Sequence, residues 1–228
     1  MMKISRTKVQ FFLDCPRCFY LDMVKKVRRP PGYPFSLNNA VDGYLKREFD
    51  QYREQGLPHP IQMEQSPGLI PAKNELLDQW RNSFKGVTYD HENHQCTYYG
   101  GIDDLWVNEN GEHVIVDYKA TAGPTPIQSL PVWADGYVRQ LSFYAYLLEK
   151  NGLKMSNTGI LLYATASTVL ANYQNRLEFQ HHLIQVDLDT SWIETTLDQL
   201  QENLKLNEAP PFQANCAFCN FAEKGSNE

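Results

Sequence analysis

The sequence lacks long apolar runs. No hydrophobic stretch in it approaches the roughly 20 residues that a membrane-spanning helix needs. The opening Met-Met-Lys-Ile-Ser-Arg-Thr-Lys has no apolar core of the kind found in secretory signals. We therefore expect no membrane partner and a cytoplasmic location. The chain has 228 residues, 42% of them hydrophobic and 21% charged, which is enough for one globular domain with a full core.

The chain also lacks an excess of basic residues. Its 21 Lys and Arg are outnumbered by 27 Asp and Glu, which gives a formal net charge of -6. This balance argues against a general surface for polyanions, although a local groove for nucleic acid remains compatible with it. Taken alone, the charge is equally typical of a protein that has no role with nucleic acids.

Cysteine is scarce, with five residues in the chain. In a reducing compartment we do not expect disulfides, and Cys96 is most simply a small buried hydrophobic residue. The other four form two C-x-x-C pairs at opposite ends of the chain, Cys15 with Cys18 and Cys216 with Cys219. The spacing lets both sulfurs of a pair bind one ion, so we predict a single structural metal site rather than two unrelated pairs of buried thiols. Four thiolates suit Zn²⁺ or a [4Fe–4S] cluster.

A β-hairpin is predicted in the middle of the chain. Its strands are Ile102–Val107 and Glu112–Lys119, joined by the turn Asn108–Gly111, in which Asn-Gly tolerates positive φ. The second strand carries three consecutive apolar residues, Val114–Val116, which are typical of a buried central strand. The hairpin is therefore expected to lie inside a sheet.

Charged residues follow this apolar run. Asp117 and Lys119 are two residues apart and point to the same side of the sheet. Buried charges are costly unless paired, so these two either pair with each other or help to bind a divalent cation. The first strand returns Asp103 and Asp104 to the same height, and carboxylates from adjacent strands suit Mg²⁺. A two-residue turn sets Asp104 opposite Asp117, and one extra turn residue sets Asp103 there, so the sequence leaves the register open.

These residues resemble a known family. The segments Gly100–Asp103 and Val116–Lys119 are similar to the divided Asp…(Asp/Glu)-x-Lys signature of the PD-(D/E)XK nuclease superfamily. Gln140–Tyr144 resembles the Gln-x-x-x-Tyr helix motif of its RecB-like branch. The segment Ser5–Tyr20, with its Cys-Pro-Arg, resembles the opening of RecB-like and CRISPR-adaptation nucleases that hold an iron–sulfur cluster.

The resemblance implies roles for the hairpin residues. The aspartate of Gly-x-x-Asp is the first metal ligand in the family pattern, which selects Asp103 over Asp104. Asp117 would be the second ligand, and the carbonyl of Tyr118 a third, for Mg²⁺ or Mn²⁺. Lys119 would position or deprotonate the attacking water, or stabilise the developing charge.

Two further elements carry candidate site residues. Gln140 and Tyr144 lie one helical turn apart and would orient Lys119 or touch DNA; the alternative is a hydrogen bond at an ordinary interface. Ser36 is predicted to cap an amphipathic helix that contains Asp42. RecB-like nucleases usually carry Gly-x-x-x-His in that helix, and here both the glycine and the histidine are replaced across Asn38–Asp42. Asp42 is then either a metal ligand, since Asp also binds divalent cations, or a surface residue.

The cysteines depart from the family pattern. The nucleases that this chain resembles usually take one cysteine from the N-terminal segment and three from the C-terminal end, whereas this chain offers two and two. Cys18 would replace the missing ligand. The resemblance favours a [4Fe–4S] cluster, with Zn²⁺ as the alternative.

The resemblance implies an α/β fold with a restriction-endonuclease-like core, in which helices flank a mixed central sheet. One domain would span residues 1–228, with the sheet in 86–188 and the cysteine closure in 5–30 and 208–221. The implied function is metal-dependent hydrolysis of DNA, of exonuclease type on ends or single strands, in repair, recombination or CRISPR adaptation. The alternatives are an inactive nucleic-acid-binding member of the fold and a scaffold for a helicase or integrase partner.

Two minor expectations concern the segment before the hairpin. Asn74 is predicted to start a helix that reaches Phe84. His91 and His94 are predicted to be exposed at the tip of another hairpin, rather than to bind a metal.

Overall fold

The computed structural model describes residues 1–30, 32 and 35–226. Helices and strands alternate along much of the chain, and a short 3₁₀ helix, Val132–Ala134, precedes α6. None of the described helices has both the length and the apolar character needed to cross a bilayer. The strands are β1 Met2–Ser5, β2 Ile70–Pro71, β3 Val87–His91, β4 Cys96–Gly100, β5 Asp104–Val107, β6 His113–Gly123, β7 Thr158–Ser167 and β8 Phe179–Asp187. The helices are α1 Arg6–Asp14, α2 Pro16–Met23, α3 Ser36–Gln55, α4 Pro60–Gln65, α5 Leu77–Arg81, α6 Asp135–Lys150, α7 Ile193–Leu204 and α8 Ala217–Ser226.

The chain divides into two units. The central unit comprises residues 34–89 and 100–190, and the terminal unit comprises residues 1–33, 90–99 and 191–228. Candidate catalytic residues fall in the central unit, and both C-x-x-C pairs fall in the terminal unit. The two chemistries predicted from the sequence therefore belong to different units.

The central unit contains a mixed five-stranded sheet in the order β2-β5-β6-β7-β8. Strand β6 is antiparallel to β5 and parallel to β7, and β8 returns antiparallel to β7. One face of the sheet packs on α3 through Phe49, Trp106 and Tyr118. The other face meets α6, because a side chain added at Gly159 would contact both Ile115 and Leu141. The predicted α/β fold with a mixed, helix-flanked sheet is confirmed.

The hairpin register answers the question left open by the sequence. Asp104 lies opposite Val116, and Val107 lies opposite His113, so continuing the ladder by one pair sets Asp103 opposite Asp117. The turn holds this register because the Gly111 N–H donates to the Asn108 carbonyl at 3.0 Å, with Gly111 at φ +71°. The register thus sets Asp103, rather than Asp104, opposite Asp117.

The terminal unit gathers both ends of the chain. Strand β1 runs parallel to β4, pairing Met2 with Cys96 and Ser5 with Tyr99. The Ser5 hydroxyl accepts the Lys8 N–H at 3.3 Å and caps α1, as predicted. Cys15 then caps α2, whose first residue is a proline, so the helix pair breaks and restarts at the first cysteine.

Two helix starts differ from the prediction. Ser36 is the first residue of α3 rather than its cap, since the N-cap is Phe35 and no side chain caps the helix. Asn74 does not start a long helix either. Its side chain accepts the Leu76 N–H at 2.9 Å in a turn, and α5 ends at Arg81. Asn82 ends the helix because its side chain accepts two following backbone N–H groups instead.

The expectation that His91 and His94 are exposed is wrong. Their rings stack at a centroid distance of 3.7 Å with an interplanar angle of 5°, and their side chains are only 10% and 8% exposed. His91 Nε2 lies 3.2 Å from a Glu194 oxygen, and His94 Nε2 lies 2.9 Å from a carboxylate oxygen of Asp198. Because α7 supplies both carboxylates, the hairpin tip is covered by this helix.

Candidate active site and cysteine cluster

Asp103 stands at the entrance to β5 and is held by contacts on both carboxylate oxygens. Its Oδ2 accepts the Tyr118 backbone N–H at 3.0 Å. Its Oδ1 lies 3.1 Å from the ammonium of Lys46. The side chain is 23% exposed, so the carboxylate is fixed in place and remains open to a ligand.

Asp117 is more deeply buried, at 2% exposure. It forms an ion pair with Lys119 and accepts a hydrogen bond from Gln140 Nε2 at 2.9 Å. The same amide nitrogen lies 3.1 Å from the Tyr144 hydroxyl. The predicted motif on α6 thus reaches the predicted motif on β6, and its contact is with Asp117.

Lys119 is a cation in this environment. Burial would lower the pKa of its ammonium, but the carboxylates of Asp117 and Asp103 outweigh burial and hold that pKa above its usual value. The ammonium also lies 4.3 Å from the centroid of the Tyr137 ring, within the range of a cation–π contact. Lys119 is therefore a charged hydrogen-bond donor in this arrangement.

Asp42 projects from α3 into the same region. Its Oδ2 accepts a hydrogen bond from Lys46 at 2.8 Å, one turn along the helix. Its Oδ1 is buried and has no hydrogen-bond partner among the described residues. Burial and the nearby Asp103 carboxylate raise the pKa of Asp42. An orphaned carboxylate oxygen beside a second carboxylate is a fitting environment for a hard divalent cation.

A cleft of about 410 Å³ opens onto these groups. Asp42, Asp103 and Lys119 line it, whereas Asp117, Gln140 and Tyr144 are not among its lining residues. Tyr118 also lines the cleft, and its backbone N–H is committed to Asp103. Four of the predicted site residues thus share the cleft. The aromatic side chains that line it besides Tyr118 are Phe35, Trp133, Tyr137 and Tyr163.

Sequence reasoning missed Lys46 and the role of Asp104. Asp104 is fully buried and forms ion pairs with Arg53 and Arg81. It also accepts hydrogen bonds from the Trp106 indole at 3.2 Å and the Tyr118 hydroxyl at 2.6 Å. These contacts occupy the carboxylate oxygens of Asp104 within the interior of the fold. The signal for Lys46 was its spacing of four residues from Asp42.

The four paired cysteines converge in the terminal unit. Their sulfurs all lie within 4.8 Å of one another. Measured separations are 3.6 Å for Cys15–Cys219, 3.7 Å for Cys18–Cys216 and 3.8 Å for Cys18–Cys219. All four residues are buried. Four converging thiols form a donor set that suits a thiophilic metal ion, so the predicted meeting of the two pairs is confirmed.

Arg29 contacts this cluster directly. Its guanidinium donates to Cys216 Sγ at 3.4 Å and lies between the rings of Phe11 and Phe218, 4.1 Å from each centroid. The positive charge and the aromatic contacts hold it beside the sulfur. A nearby cation of this kind favours the thiolate form that metals bind.

Comparison with known proteins identifies the family. A solved structure described as "Crystal structure of SSO0001" is similar, with a TM-score of 0.43 and 15% identity over 97% of this chain and 84% of that chain; so distant a similarity carries no weight. Curated proteins offer no match. A model of the PD-(D/E)XK nuclease superfamily matches residues 36–223. Because this match covers most of the sequence, the chain belongs to the PD-(D/E)XK nuclease superfamily.

Proposed function

We propose that this protein is a deoxyribonuclease of the RecB-like, CRISPR-adaptation-nuclease-like branch, dependent on Mg²⁺ or Mn²⁺. The observation that carries the proposal is the network in which Gln140 binds Asp117, Asp117 binds Lys119, and Lys119 shares a cleft with Asp103. Membership of the superfamily supports hydrolysis of nucleic acid. The Gln140–Tyr144 motif and the cysteines support the branch.

Each residue has a role in this proposal. Asp103 and Asp117 would hold the divalent cation, with Asp42 and the Tyr118 carbonyl as further oxygen ligands. The bound cation would lower the pKa of water and neutralise charge on the phosphate. Lys119 donates hydrogen bonds to the water or to the phosphate oxygens as negative charge develops. Gln140 keeps the Asp117 carboxylate oriented, and Tyr144 supports the Gln140 amide.

The substrate is proposed to be a DNA end or a single strand, cut in exonuclease fashion. Phe35 and Trp133 line the cleft with 70% and 65% of their surface exposed, and exposed aromatic rings stack well on unpaired bases. Four further points stay predictions from the sequence. They are a role in repair, recombination or CRISPR adaptation, a helicase or integrase partner, a single domain and a cytoplasmic location.

The cysteine cluster is proposed to be a structural metal site that joins the two ends of the chain. Family resemblance favours a [4Fe–4S] cluster at this site, with one zinc ion as the alternative. The three sulfur pairs at 3.6 to 3.8 Å are also compatible with zinc, because Zn–S bonds of about 2.3 Å space two sulfurs about 3.8 Å apart. Anaerobic purification followed by metal analysis distinguishes stoichiometric zinc from iron.

A cleavage assay tests the proposed function. Labelled single- and double-stranded DNA is incubated with Mg²⁺ or Mn²⁺ and with wild type, Lys119→Ala or Asp117→Ala. We expect cleavage by wild type to disappear in both variants while their folding and cysteine-bound metal persist. Lys154→Ala is a matched control, because this lysine is 66% exposed and pairs with Glu112 instead. Wild type that binds metal but cuts no DNA would favour the inactive binding member, for which the replaced histidine at Asp42 is the supporting observation.

A further inference from the structure

Lys46 lies between two carboxylates of the candidate active site. Its ammonium nitrogen is 2.8 Å from Asp42 Oδ2 and 3.1 Å from Asp103 Oδ1. The lysine side chain is 19% exposed, so its charge has lost much of its contact with water. A buried ammonium is stable only when paired, and here the two aspartates provide the pairing.

The two aspartates in turn require a positive charge between them. Asp42 comes from α3 and Asp103 from the segment before β5, and their like charges would repel each other if nothing positive lay between them. Lys46 supplies this charge from within the chain. Lys119, which lines the cleft, pairs with Asp117 instead, so each lysine neutralises a different part of the site.

We infer that Lys46 is a built-in counter-ion that holds Asp42 and Asp103 together and competes with a divalent cation for them. Lys46 is thereby a positioning residue that sets the affinity of the site for its metal. This inference rests on the proposed use of Asp103 as a metal ligand. A cation that binds these carboxylates must either displace the ammonium or bind against its charge, and both weaken binding.

Calorimetric titration of the full chain with Mn²⁺, without DNA, tests the inference. Replacing Lys46 with methionine keeps a side chain of similar length and removes the charge. We expect Lys46→Met to lower the Mn²⁺ dissociation constant about tenfold or more, and Lys46→Arg to stay close to wild type. Lys73→Met removes an exposed lysine that does not line the cleft and should leave Mn²⁺ affinity unchanged. Equal or weaker Mn²⁺ binding by Lys46→Met would overturn the inference.

A double variant tests whether the gain in Mn²⁺ affinity arises at Asp42. Adding Asp42→Asn to Lys46→Met removes one of the carboxylates released by the first change, so the gain in affinity should largely disappear. A gain that persists undiminished would mean that Lys46 does not compete at Asp42, which contradicts the inference. Lys46→Gln serves the same comparison if the methionine variant unfolds. Because no DNA is present, a protein that never cuts DNA can still pass or fail this test.

Discussion

Asp103 and Asp104 are neighbours in sequence but accept hydrogen bonds from opposite ends of the same residue. The backbone N–H of Tyr118 donates to Asp103 at 3.0 Å, and its side-chain hydroxyl donates to Asp104 at 2.6 Å. Successive residues of a strand face opposite sides of the sheet, so one carboxylate reaches the cleft and the other enters the core. Asp104 is therefore committed to the interior, whereas Asp103 is the carboxylate that we propose as a cation ligand.

Asp104 is expected to contribute chiefly to the stability of the fold. Asp104→Asn removes the charge that compensates Arg53 and Arg81 in the interior. Breaking a buried ion pair on one side costs about 3–5 kcal/mol, so we expect a loss of this order in the free energy of unfolding. Urea denaturation of the variant measures the loss. Asp103→Asn, at a site 23% exposed, should lose less stability. Equal losses in the two variants would contradict the separation of roles.

Gln140 is expected to affect DNA cleavage by orienting the Asp117 carboxylate. Gln140→Leu removes the amide that donates to the Asp117 carboxylate at 2.9 Å and keeps a side chain of similar volume. If the proposed nuclease activity is present, we expect cleavage to fall roughly 10- to 100-fold, the usual cost of losing a residue that orients a metal ligand. Initial cleavage rates across a Mn²⁺ titration give the measurement. Tyr144→Phe, which removes the hydroxyl 3.1 Å from the Gln140 amide, should have a smaller effect. Unchanged activity in Gln140→Leu would exclude this role.

Local signals in the sequence were sufficient for the hairpin and for the cysteine pairs. The apolar run Val114–Val116, the Asn108–Gly111 turn and the two C-x-x-C spacings each involve residues that are close in the chain, where chain geometry limits the outcome. The family pattern then chose Asp103 over Asp104, which the hairpin alone could not do. Fold class and most of the candidate site followed from these few segments.

Contacts between distant segments were not predictable in the same way. Lys46 reaches Asp103 across 57 residues, and Arg53 reaches Asp104 across 51. The two histidines that we expected to be exposed meet carboxylates more than a hundred residues away. Such partners depend on how helices pack on the sheet, and propensity and spacing carry no information about that packing.

Gly86 is predicted to resist substitution for two reasons. Its φ is +61°, and an added Cβ would lie 2.5 Å from the carbonyl oxygen of Gly100. Gly111 has a similar φ of +71° but open space around it, so it is a matched control. We expect Gly111→Ala to cost about 1 kcal/mol of unfolding free energy, from backbone strain alone. Gly86→Ala should cost clearly more, measured by urea denaturation of both variants. Similar losses would show that the backbone relieves the contact.

The thiols of metal-free protein are expected to differ in reactivity. Burial alone would raise the pKa of Cys216, but hydrogen bonds, first that from the Cys219 backbone N–H, outweigh it and lower the pKa to about 7. Burial raises the pKa of Cys15 to about 12 and that of Cys96 to about 11. The thiolate is the reactive form, so at pH 8 Cys216 should react with iodoacetamide first, and Cys15 and Cys96 slowly. Peptide mapping by mass spectrometry follows each site.

The pKa of Cys216 also determines how stability and labelling change with pH. A thiol whose pKa falls from 9.0 in the unfolded chain to about 7 in the folded one stabilises the fold above pH 9, and this stabilisation is lost as pH falls through 7. Labelling of Cys216 should also decline from pH 8 to pH 6 in metal-free protein, because the reactive thiolate is protonated as pH falls through 7. Restoring the metal identified by analysis should protect all four clustered cysteines, because each sulfur would then be bound to it, and should leave Cys96 as slow as before. Equal labelling of Cys216 with and without that metal would show that the cluster does not bind it.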